Sequence, residues 1–205
     1  ILVGGTGLYF KALTEGLVNI PKIPINFRNK VRNLHKRIGQ KKFFQKLLQI
    51  DPLIKNRINS LDVQRSLRAY EIKSFTKKSM ISWFKNTKSD YDYNDFFKIC
   101  IDFPRKDLIE RINQRSENMV KLGAILEVKK FIKLRVPKNK SLSKAIGISE
   151  IKQYLQKKIQ TEQLIEKISI KTRQYAKRQS TWARGHMKDW NKVNPAGLEK
   201  LLKKI

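Results

Sequence analysis

The residues best suited to chemistry in this sequence are basic side chains that alternate with aromatic ones between residues 170 and 184. On a helix, one face would carry Arg173, Lys177 and Arg184, and a nearly opposite face Lys171, Tyr175, Arg178 and Trp182. A helix that only meets solvent turns its charges to one side. Basic groups on both sides, with rings between them, favour a helix that lies between a core and a phosphate backbone. A solvated basic helix is the alternative.

A second candidate is the helix predicted after Pro104. Its apolar stripe consists of Leu108, Ile112, Met119 and Leu122. Arg115 falls on that stripe, where a desolvated guanidinium is costly without an anionic partner. Because Arg111 lies one turn earlier, the pattern favours an anion site, with phosphate as the expected ligand. Pairing of Arg115 with a structural carboxylate is the alternative.

Two further segments carry weaker signals. Residues 62–71 place Arg65 and Arg68 one turn apart, but surface ion pairs with Asp62 and Glu71 would also explain them. Residues 4–7, Gly-Gly-Thr-Gly, put a free hydroxyl at a turn of the kind where α/β proteins bind ligands. This turn matches neither the phosphate loop nor the dinucleotide fingerprint. His35 and His186 lack the cysteine or aspartate neighbours of a zinc site, so no metal ligands are predicted.

The composition is strongly basic. Lys and Arg number 46 against 17 Asp and Glu, a net charge of +29 that favours a polyanionic partner. An AT-rich genome is a second explanation, since Lys, Ile and Asn are abundant together. No run of about 18 apolar residues predicts a membrane span. One cysteine, Cys100, excludes an internal disulfide and lies in an apolar run. We expect a cytoplasmic protein without a membrane partner.

The elements that would position these residues are mostly helical. Residues 1–3, the glycine turn and a helical pattern from Leu8 to Leu13 predict the strand, turn and helix of a parallel α/β sheet. Asp51-Pro52 and Asp62 each predict a helix start. Residues 96–103 predict a second strand, and helices are predicted at 105–122, 124–135, 149–158 and 161–184. The predicted domains are a core strand and helix (1–20), a helical insertion (21–95), a return to the core with C-terminal helices (96–190) and a basic tail (191–205).

Several short sequence motifs occur along the chain in the order in which one known enzyme family has them. They are residues 2–13, Asp51-Pro52 with Arg57-Ile58, residues 62–71, Arg105 with residues 111–115, Gly123 with Glu127-Val128, residues 145–147, Tyr154-Leu155, and residues 172–182. The last block, Thr-Arg-Gln-Tyr-Ala-Lys-Arg-Gln-Ser-Thr-Trp, is the most specific. Over nearly the whole chain to Arg184, the sequence resembles the tRNA dimethylallyltransferase family.

The resemblance implies a reaction and a fold. Such enzymes transfer a dimethylallyl group from dimethylallyl diphosphate to N6 of the adenosine 3′ of the anticodon, in tRNAs that read codons beginning with U. The target base leaves the stack of its loop to be reached. The implied fold is a P-loop kinase-like core with a parallel sheet, a helical insertion that binds the anticodon stem-loop, and a helical C-terminal part. Mg²⁺ is the implied cofactor, and we expect a monomer.

The resemblance also implies roles for residues. The implied catalytic residues are Arg115 and Thr6. Arg115 would lie near the diphosphate with Arg111, and Thr6 would contact the tRNA beside the reaction channel. The implied tRNA-binding residues are Arg28; Gln64, Arg65, Ser66, Leu67 and Arg68; Lys144, Ala145, Ile146, Gly147, Ile148 and Ser149; and Lys177, Arg178, Gln179, Ser180, Thr181, Trp182, Ala183 and Arg184. Departures from the family occur at Ile148, where an aromatic is usual, at Ser149, where Lys or Arg is usual, and at Ala183.

The family's phosphate-binding loop and general-base aspartate precede the Gly-Gly-Thr segment and are not in this sequence. The earlier strands of the core, the Mg²⁺ ligands and these two features are therefore expected upstream, and the chain by itself is expected to be inactive. Three alternatives stay open: a non-catalytic RNA-binding fragment, an isopentenyltransferase that acts on free adenine nucleotides, and a general basic DNA-binding helical protein.

Overall fold

The computed structural model of the protein describes residues 1–85, 87–137 and 140–203. The described residues form a mostly helical fold with a small parallel sheet. The chain separates into two compact units. We call Leu8–Phe96 the central unit, and Ile1–Gly7 with Phe97–Ile205 the terminal unit. Within the described ranges, no helix combines the length and the apolar character needed to cross a bilayer.

Helices build the central unit, and α1 begins one residue before it. They are α1 (Gly7–Thr14), α2 (Ile25–Ile50), α3 (Val63–Thr76) and α4 (Met80–Phe84), with short 3-10 turns at Pro52–Ile54 and Tyr93–Asp95. α2 bends at Gly39, where φ is +75°, a value that glycine adopts without a steric penalty. Beyond the bend, Leu47 is fully buried in a core with Ile54 and Ile72. As predicted, Asp62 caps α3, because its carboxylate accepts the Arg65 N–H at 2.9 Å.

The terminal unit combines a strand pair with the remaining helices. Its elements are β1 (Ile99–Ile101), α5 (Arg105–Met119), α6 (Ile125–Lys133), α7 (Ile148–Leu155), α8 (Thr161–His186), β2 (Asn191–Val193) and α9 (Pro195–Leu202). A π-helical turn at Val120–Ala124 joins α5 to α6. The predicted helices in this part are confirmed within a few residues at each end. Their shared core consists of Val128, Ile148, Ile151, Leu164 and Ile168, which lie on α6, α7 and α8.

The two strands pair in parallel, with Cys100 opposite Lys192. β1 confirms the predicted strand at 96–103 in part. β2 and α9 lie in the stretch that the sequence indicated only as a basic tail, of which residues 204 and 205 lie outside the described residues. Burial raises the pKa of the half-buried Cys100 thiol, the Asp102 carboxylate raises it further, and Lys192 opposes both. The thiol is therefore protonated and unreactive at neutral pH.

One predicted element start is wrong, and a second is confirmed only in part. Ile1, Leu2 and Val3 are exposed and form no strand, because no described strand offers them ladder hydrogen bonds. Asp51-Pro52 opens a 3-10 turn rather than an α-helix. The Asp51 side chain does not cap the turn: the residue is 1% exposed, and neither carboxylate oxygen has a hydrogen-bond partner in the described part of the chain.

Candidate nucleic-acid interface

In the central unit, two arginines share one buried carboxylate. Arg28 Nε on α2 lies 3.3 Å from Glu71 Oε2 on α3, as an ion pair without hydrogen-bond geometry. Arg68 Nη1 lies 3.8 Å from the same oxygen. The Glu71 side chain is 3% exposed, whereas those of Arg28 and Arg68 are 37% and 44% exposed. One buried negative charge therefore holds two guanidiniums and leaves them with a surplus positive charge.

These two arginines line an open cleft of about 440 Å³ with residues 20–25. Residues 20–24 of this lining precede α2, which begins at Ile25. Arg28, predicted as an RNA contact, and Arg68, predicted in a separate segment, are thus brought together. The cleft presents two guanidiniums, whose planar donors suit phosphate oxygens.

The rest of the predicted segment on α3 divides by exposure. Gln64 and Arg65 are exposed, Leu67 is half-buried, and Ser66 is fully buried. The Ser66 hydroxyl donates to the Asp62 carbonyl at 2.7 Å, so this side chain shapes α3 and is not accessible to a ligand. Arg65 pairs with Asp62 at 2.9 Å on the surface, where such pairs stabilise little.

The prediction that Arg115 lies on the buried face of α5 is wrong. That face is defined by Ile112 and Ser116, both buried, and Arg115 is exposed. Ser116 occupies the buried position, where its hydroxyl is satisfied by donating to the Ile112 carbonyl at 2.8 Å. Leu122, the last residue of the predicted stripe, is 86% exposed because the π-helical turn changes the direction of the side chains there. Ile112 is buried and Leu108 and Met119 are half-buried, so the apolar stripe is confirmed apart from Leu122, and only the burial of Arg115 is predicted wrongly.

Arg111 and Arg115 are nevertheless both exposed and one turn apart on α5. The Arg111 guanidinium lies 4.9 Å from the centre of the Phe103 ring. Within the described ranges, neither arginine pairs with a carboxylate. Two guanidiniums without anionic partners, one of them held by a ring, can bind an anion that approaches from solvent.

A buried acid also organises the start of α7. Glu150 is 2% exposed, and it accepts the Gly147 N–H at 3.0 Å and the Ser149 hydroxyl at 2.6 Å. Lys171 on α8 pairs with the same carboxylate. Burial by itself would raise the pKa of Glu150, but the bonds from Lys171, Ser149 and the backbone hold it below its ordinary value. Gly147 has a φ of +102°, which favours glycine at this turn.

The predicted segment 144–149 therefore has two kinds of residue. Lys144, Ala145 and Ser149 are exposed, and Ile146 is half-buried. Gly147 is buried, and Ile148 is 8% exposed within the core. The side chain of Ile148 is thus not accessible, and only the exposed residues of this segment can meet a ligand.

The C-terminal half of α8 is rich in cations, and among the described residues only Lys171 pairs with an acid, Glu150. Residues 167–188 contain neither Asp nor Glu, and their basic residues are Lys167, Lys171, Arg173, Lys177, Arg178, Arg184 and Lys188. Arg173 is fixed by a hydrogen bond to Asn113 Oδ1 at 3.1 Å. Lys177, Arg178 and Arg184 are exposed and form no ion pair with any described residue. The exposed end of α8 therefore carries a concentrated positive potential.

The same half of α8 holds the turn that carries Thr6. Gln179 Nε2 donates to the Gly5 carbonyl at 2.9 Å. A Cβ on Gly7 would lie 2.0 Å from Cε3 of Trp182, so only glycine fits against this ring. Thr6 is exposed between these two contacts. The Thr6 turn and residues 177–184, which are predicted from the sequence as separate sites, thus form one surface. On it Ser180 and Thr181 are exposed and Ala183 is half-buried.

Two buried acids were not among the predicted site residues. Glu71 was interpreted as one partner of surface ion pairs, and Glu150 received no role. Their burial is the reason that they matter, since a carboxylate shielded from water holds its cations more tightly. Spacing could not reveal the Arg28–Glu71 pair, because its members belong to different helices. In the described residues, no group of three or more His, Cys, Asp or Glu is placed to hold a metal ion.

Comparisons with known proteins all match this chain to one family of transferases. Residues 1–186 match the family model described as IPP transferase. The chain is 55% identical over 205 residues to a tRNA dimethylallyltransferase of Pelagibacter ubique, covering all of this chain and 66% of that protein. It is 41% identical over 191 residues to a tRNA dimethylallyltransferase of Rickettsia massiliae, covering 92% of this chain and 52% of that protein. The chain thus spans between about half and two thirds of these relatives.

Solved structures agree with the sequence comparison. A tRNA isopentenylpyrophosphate transferase from Bacillus halodurans is 28% identical, with a TM-score of 0.52 over 92% of this chain and 57% of that one. A eukaryotic dimethylallyltransferase acting on tRNA is 23% identical, with a TM-score of 0.74 over 93% of this chain and 50% of that one. At that identity, the second likeness concerns the fold alone.

Proposed function

Because this chain belongs to the IPP transferase family, we propose that it is the tRNA-binding part of a tRNA dimethylallyltransferase. The reaction moves a dimethylallyl group from dimethylallyl diphosphate to N6 of the adenosine 3′ of the anticodon, in tRNAs that read codons beginning with U. The 55% identity to a protein of that name supports the type of reaction. A P-loop kinase-like core for the whole protein belongs to the same proposal.

The observation that carries the proposal is the surface formed by α8 and the Thr6 turn. Exposed cations at Lys177, Arg178 and Arg184 supply the charge that a phosphate backbone needs. Gln179 and Trp182 contact Gly5 and Gly7, the residues on either side of Thr6, and so hold the turn that carries the exposed Thr6 against α8. A hydroxyl donor held beside a cationic surface can position a nucleotide that the charges have attracted.

The central unit offers a second surface of a different kind. Arg28 and Arg68 both lie within ion-pair distance of the buried Glu71 carboxylate, which restrains their guanidiniums before a ligand arrives. Ordered donors lose less side-chain entropy on binding than free ones do. We propose that this cleft binds phosphates of the anticodon stem-loop.

The chemistry proposed for α5 follows from charge. N6 of adenosine attacks C1 of the dimethylallyl group, the bond from C1 to the diphosphate oxygen breaks, and N6 loses a proton to a base. Negative charge therefore grows on the leaving diphosphate. Arg111 and Arg115, exposed and without carboxylate partners in the described part of the chain, would stabilise that charge as it develops.

The described residues do not fit a bound Mg²⁺. The ion prefers carboxylate oxygens and water, whereas the cluster proposed for the diphosphate consists of guanidiniums. A Mg²⁺ requirement of the whole protein stays a prediction, and no step is assigned to the ion here.

The direct test is a reaction with the purified protein that contains this chain. It is incubated with dimethylallyl diphosphate and an unmodified tRNA that reads a codon beginning with U, and the digested nucleosides are analysed by mass spectrometry. We expect N6-dimethylallyladenosine at the position 3′ of the anticodon. Absence of that nucleoside, under conditions in which the Pelagibacter ubique relative forms it, would refute the proposal.

The same reaction separates the alternatives. An enzyme that acts on free adenine nucleotides would be inhibited by AMP at concentrations that leave a tRNA enzyme unaffected. A protein that binds the anticodon arm without forming product would be a non-catalytic RNA-binding protein. Since tRNA is the proposed substrate, we also propose the cytoplasm as the compartment and a monomer as the active form, which light scattering can check.

A further inference from the structure

Two aromatic side chains at the end of α8 stack on each other. The rings of Trp182 and His186 have centroids 4.4 Å apart and planes only 7° from parallel. Their spacing of four residues places them one above the other on the helix. His186 is exposed and Trp182 is half-buried, so the imidazole is the outer ring of the pair.

Both rings are fixed in place. Trp182 is packed closely against Gly7, where a Cβ would come within 2.0 Å of the indole. The imidazole Nδ1 lies 3.0 Å from the Trp182 carbonyl oxygen, a hydrogen-bond distance that restrains rotation of the ring. A flat, rigid and solvent-facing aromatic surface loses little entropy when another ring stacks on it.

Cations surround this surface. The two rings line an open cleft of about 500 Å³ with Gln174, Lys177, Arg178 and Thr181. Neither Lys177 nor Arg178 forms an ion pair with a residue in the described ranges, and the Arg178 guanidinium lies 5.7 Å from the centre of the Tyr175 ring. An aromatic surface flanked by free cations is the arrangement by which proteins bind single-stranded nucleic acid: bases stack on the rings and phosphates pair with the cations.

We propose that the outer face of His186 is a stacking platform for one unpaired nucleobase of the RNA, with Lys177 and Arg178 on the neighbouring phosphates. The inference rests on the proposed function, because it takes RNA as the ligand. It deepens that function by adding a residue outside segment 177–184 and by specifying an unpaired base. A base inside a duplex is already stacked on both sides and cannot occupy the platform.

The test is binding, without prenyl donor, of the protein that contains this chain to an anticodon-arm hairpin and to a blunt RNA duplex of equal length, at one salt concentration. Loss of one stacking contact predicts about tenfold weaker hairpin binding by His186→Ala and no change for the duplex. His186→Phe, which keeps an aromatic face, should stay within about twofold of the parent. Lys177→Ala, the control for charge, should weaken binding of both RNAs.

Equal hairpin binding by His186→Ala and the parent would overturn the platform, as would an equal loss for hairpin and duplex. Failure of His186→Phe to bind better than His186→Ala, with both variants folded by circular dichroism, would overturn it too. These results are independent of turnover. A parent that selects the hairpin but forms no modified adenosine would refute the proposed reaction and leave the platform in place.

Discussion

The two basic surfaces of this protein hold their cations in different ways. In the central unit, Arg28 and Arg68 lie beside Glu71, a carboxylate that water does not reach. At the end of α8, Lys177, Arg178 and Arg184 have no acid among the described residues to hold them. The first surface fixes the direction of a few donors, whereas the second supplies a strong positive potential and exposed rings. Net charge alone would not distinguish them, because both would bind a polyanion.

We propose distinct tasks for the two surfaces because of this difference. Fixed guanidiniums can select a particular arrangement of phosphates, since a misplaced phosphate cannot recruit them without breaking their pairs. Free cations attract RNA over a longer range and release counterions when they bind it. Substitutions at Glu71, Lys177 and Arg68 test this difference directly, and those at Arg115 and Glu150 test the neighbouring cations and the second buried acid.

The largest effect is expected for a free cation that acts on the reaction rather than on RNA binding. Arg115→Ala should lower turnover by about 10² to 10³-fold, because a donor to the developing charge is lost. Affinity for tRNA should change little. The measurement is steady-state kinetics with dimethylallyl diphosphate. Lys106→Ala, which removes an exposed cation from the first turn of α5, is the matched control. Unchanged turnover in Arg115→Ala would remove Arg115 from the diphosphate site.

The next effect concerns the fixed surface. Glu71→Gln should weaken tRNA binding about fivefold and lower the free energy of unfolding by about 1–3 kcal/mol, because two guanidiniums lose their shared anion. The measurements are a tRNA titration and denaturant unfolding. Glu15→Gln changes the net charge equally, but Glu15 is an exposed partner of Lys11. If charge alone mattered, both variants would bind tRNA more tightly than the parent. That result for Glu71→Gln would break the comparison.

A smaller effect distinguishes the two surfaces by salt. Lys177→Ala should reduce the slope of log affinity against log salt concentration by about 1, since a free cation releases a counterion when it meets a phosphate. Arg68→Ala should change the slope less, because Glu71 already offsets part of that charge. The measurement is tRNA affinity at several salt concentrations. Equal changes of slope in Lys177→Ala and Arg68→Ala would show that cations of the two surfaces contribute equally to counterion release.

The smallest effect tests the buried acid of the terminal unit. Hydrogen bonds hold the pKa of Glu150 below its ordinary value, so its stabilisation is present above the unfolded pKa of about 4.3. As the pH falls below that value and through the folded pKa, the stabilisation is lost. Glu150→Gln should therefore cost about 1 kcal/mol at neutral pH. The cost should shrink toward zero in strong acid, as measured by urea unfolding across pH. If the free energy of unfolding differed between the parent and Glu150→Gln by the same amount at every pH, the stabilising role of the Glu150 carboxylate would be contradicted.

The helices were the part of the fold that could be predicted. Asp62 caps α3 as its residue type indicates, and α8 follows its predicted bounds closely, because both signals are local in sequence. The pairing of β1 with β2 could not be predicted, since the two strands lie far apart in the chain and β2 has only three residues. Residues 1–3 have the apolar composition of a strand but do not form one. A strand needs hydrogen bonds to a neighbouring strand, and none of the described residues supplies them.

The candidate site was predictable by residue type but not by arrangement. The basic segment of α8 and Arg115 were recognised, yet the burial of Arg115 was predicted wrongly. Ser116, a small hydroxyl residue, lies on the buried face. A search for apolar positions alone does not identify a buried serine. The docking of the Thr6 turn on Gln179 and the burial of Glu71 depend on tertiary contacts. Sequence spacing does not contain these contacts.

The most direct measurement of the central claim is made in cells. A strain that lacks its own tRNA dimethylallyltransferase is given the gene that includes this chain, and the bulk tRNA nucleosides are then analysed by mass spectrometry. We expect N6-dimethylallyladenosine to return with the parent gene, and to return far less with Arg115→Ala. Unmodified adenosine with a well-expressed parent gene, in a strain that the Pelagibacter ubique gene restores, would contradict it.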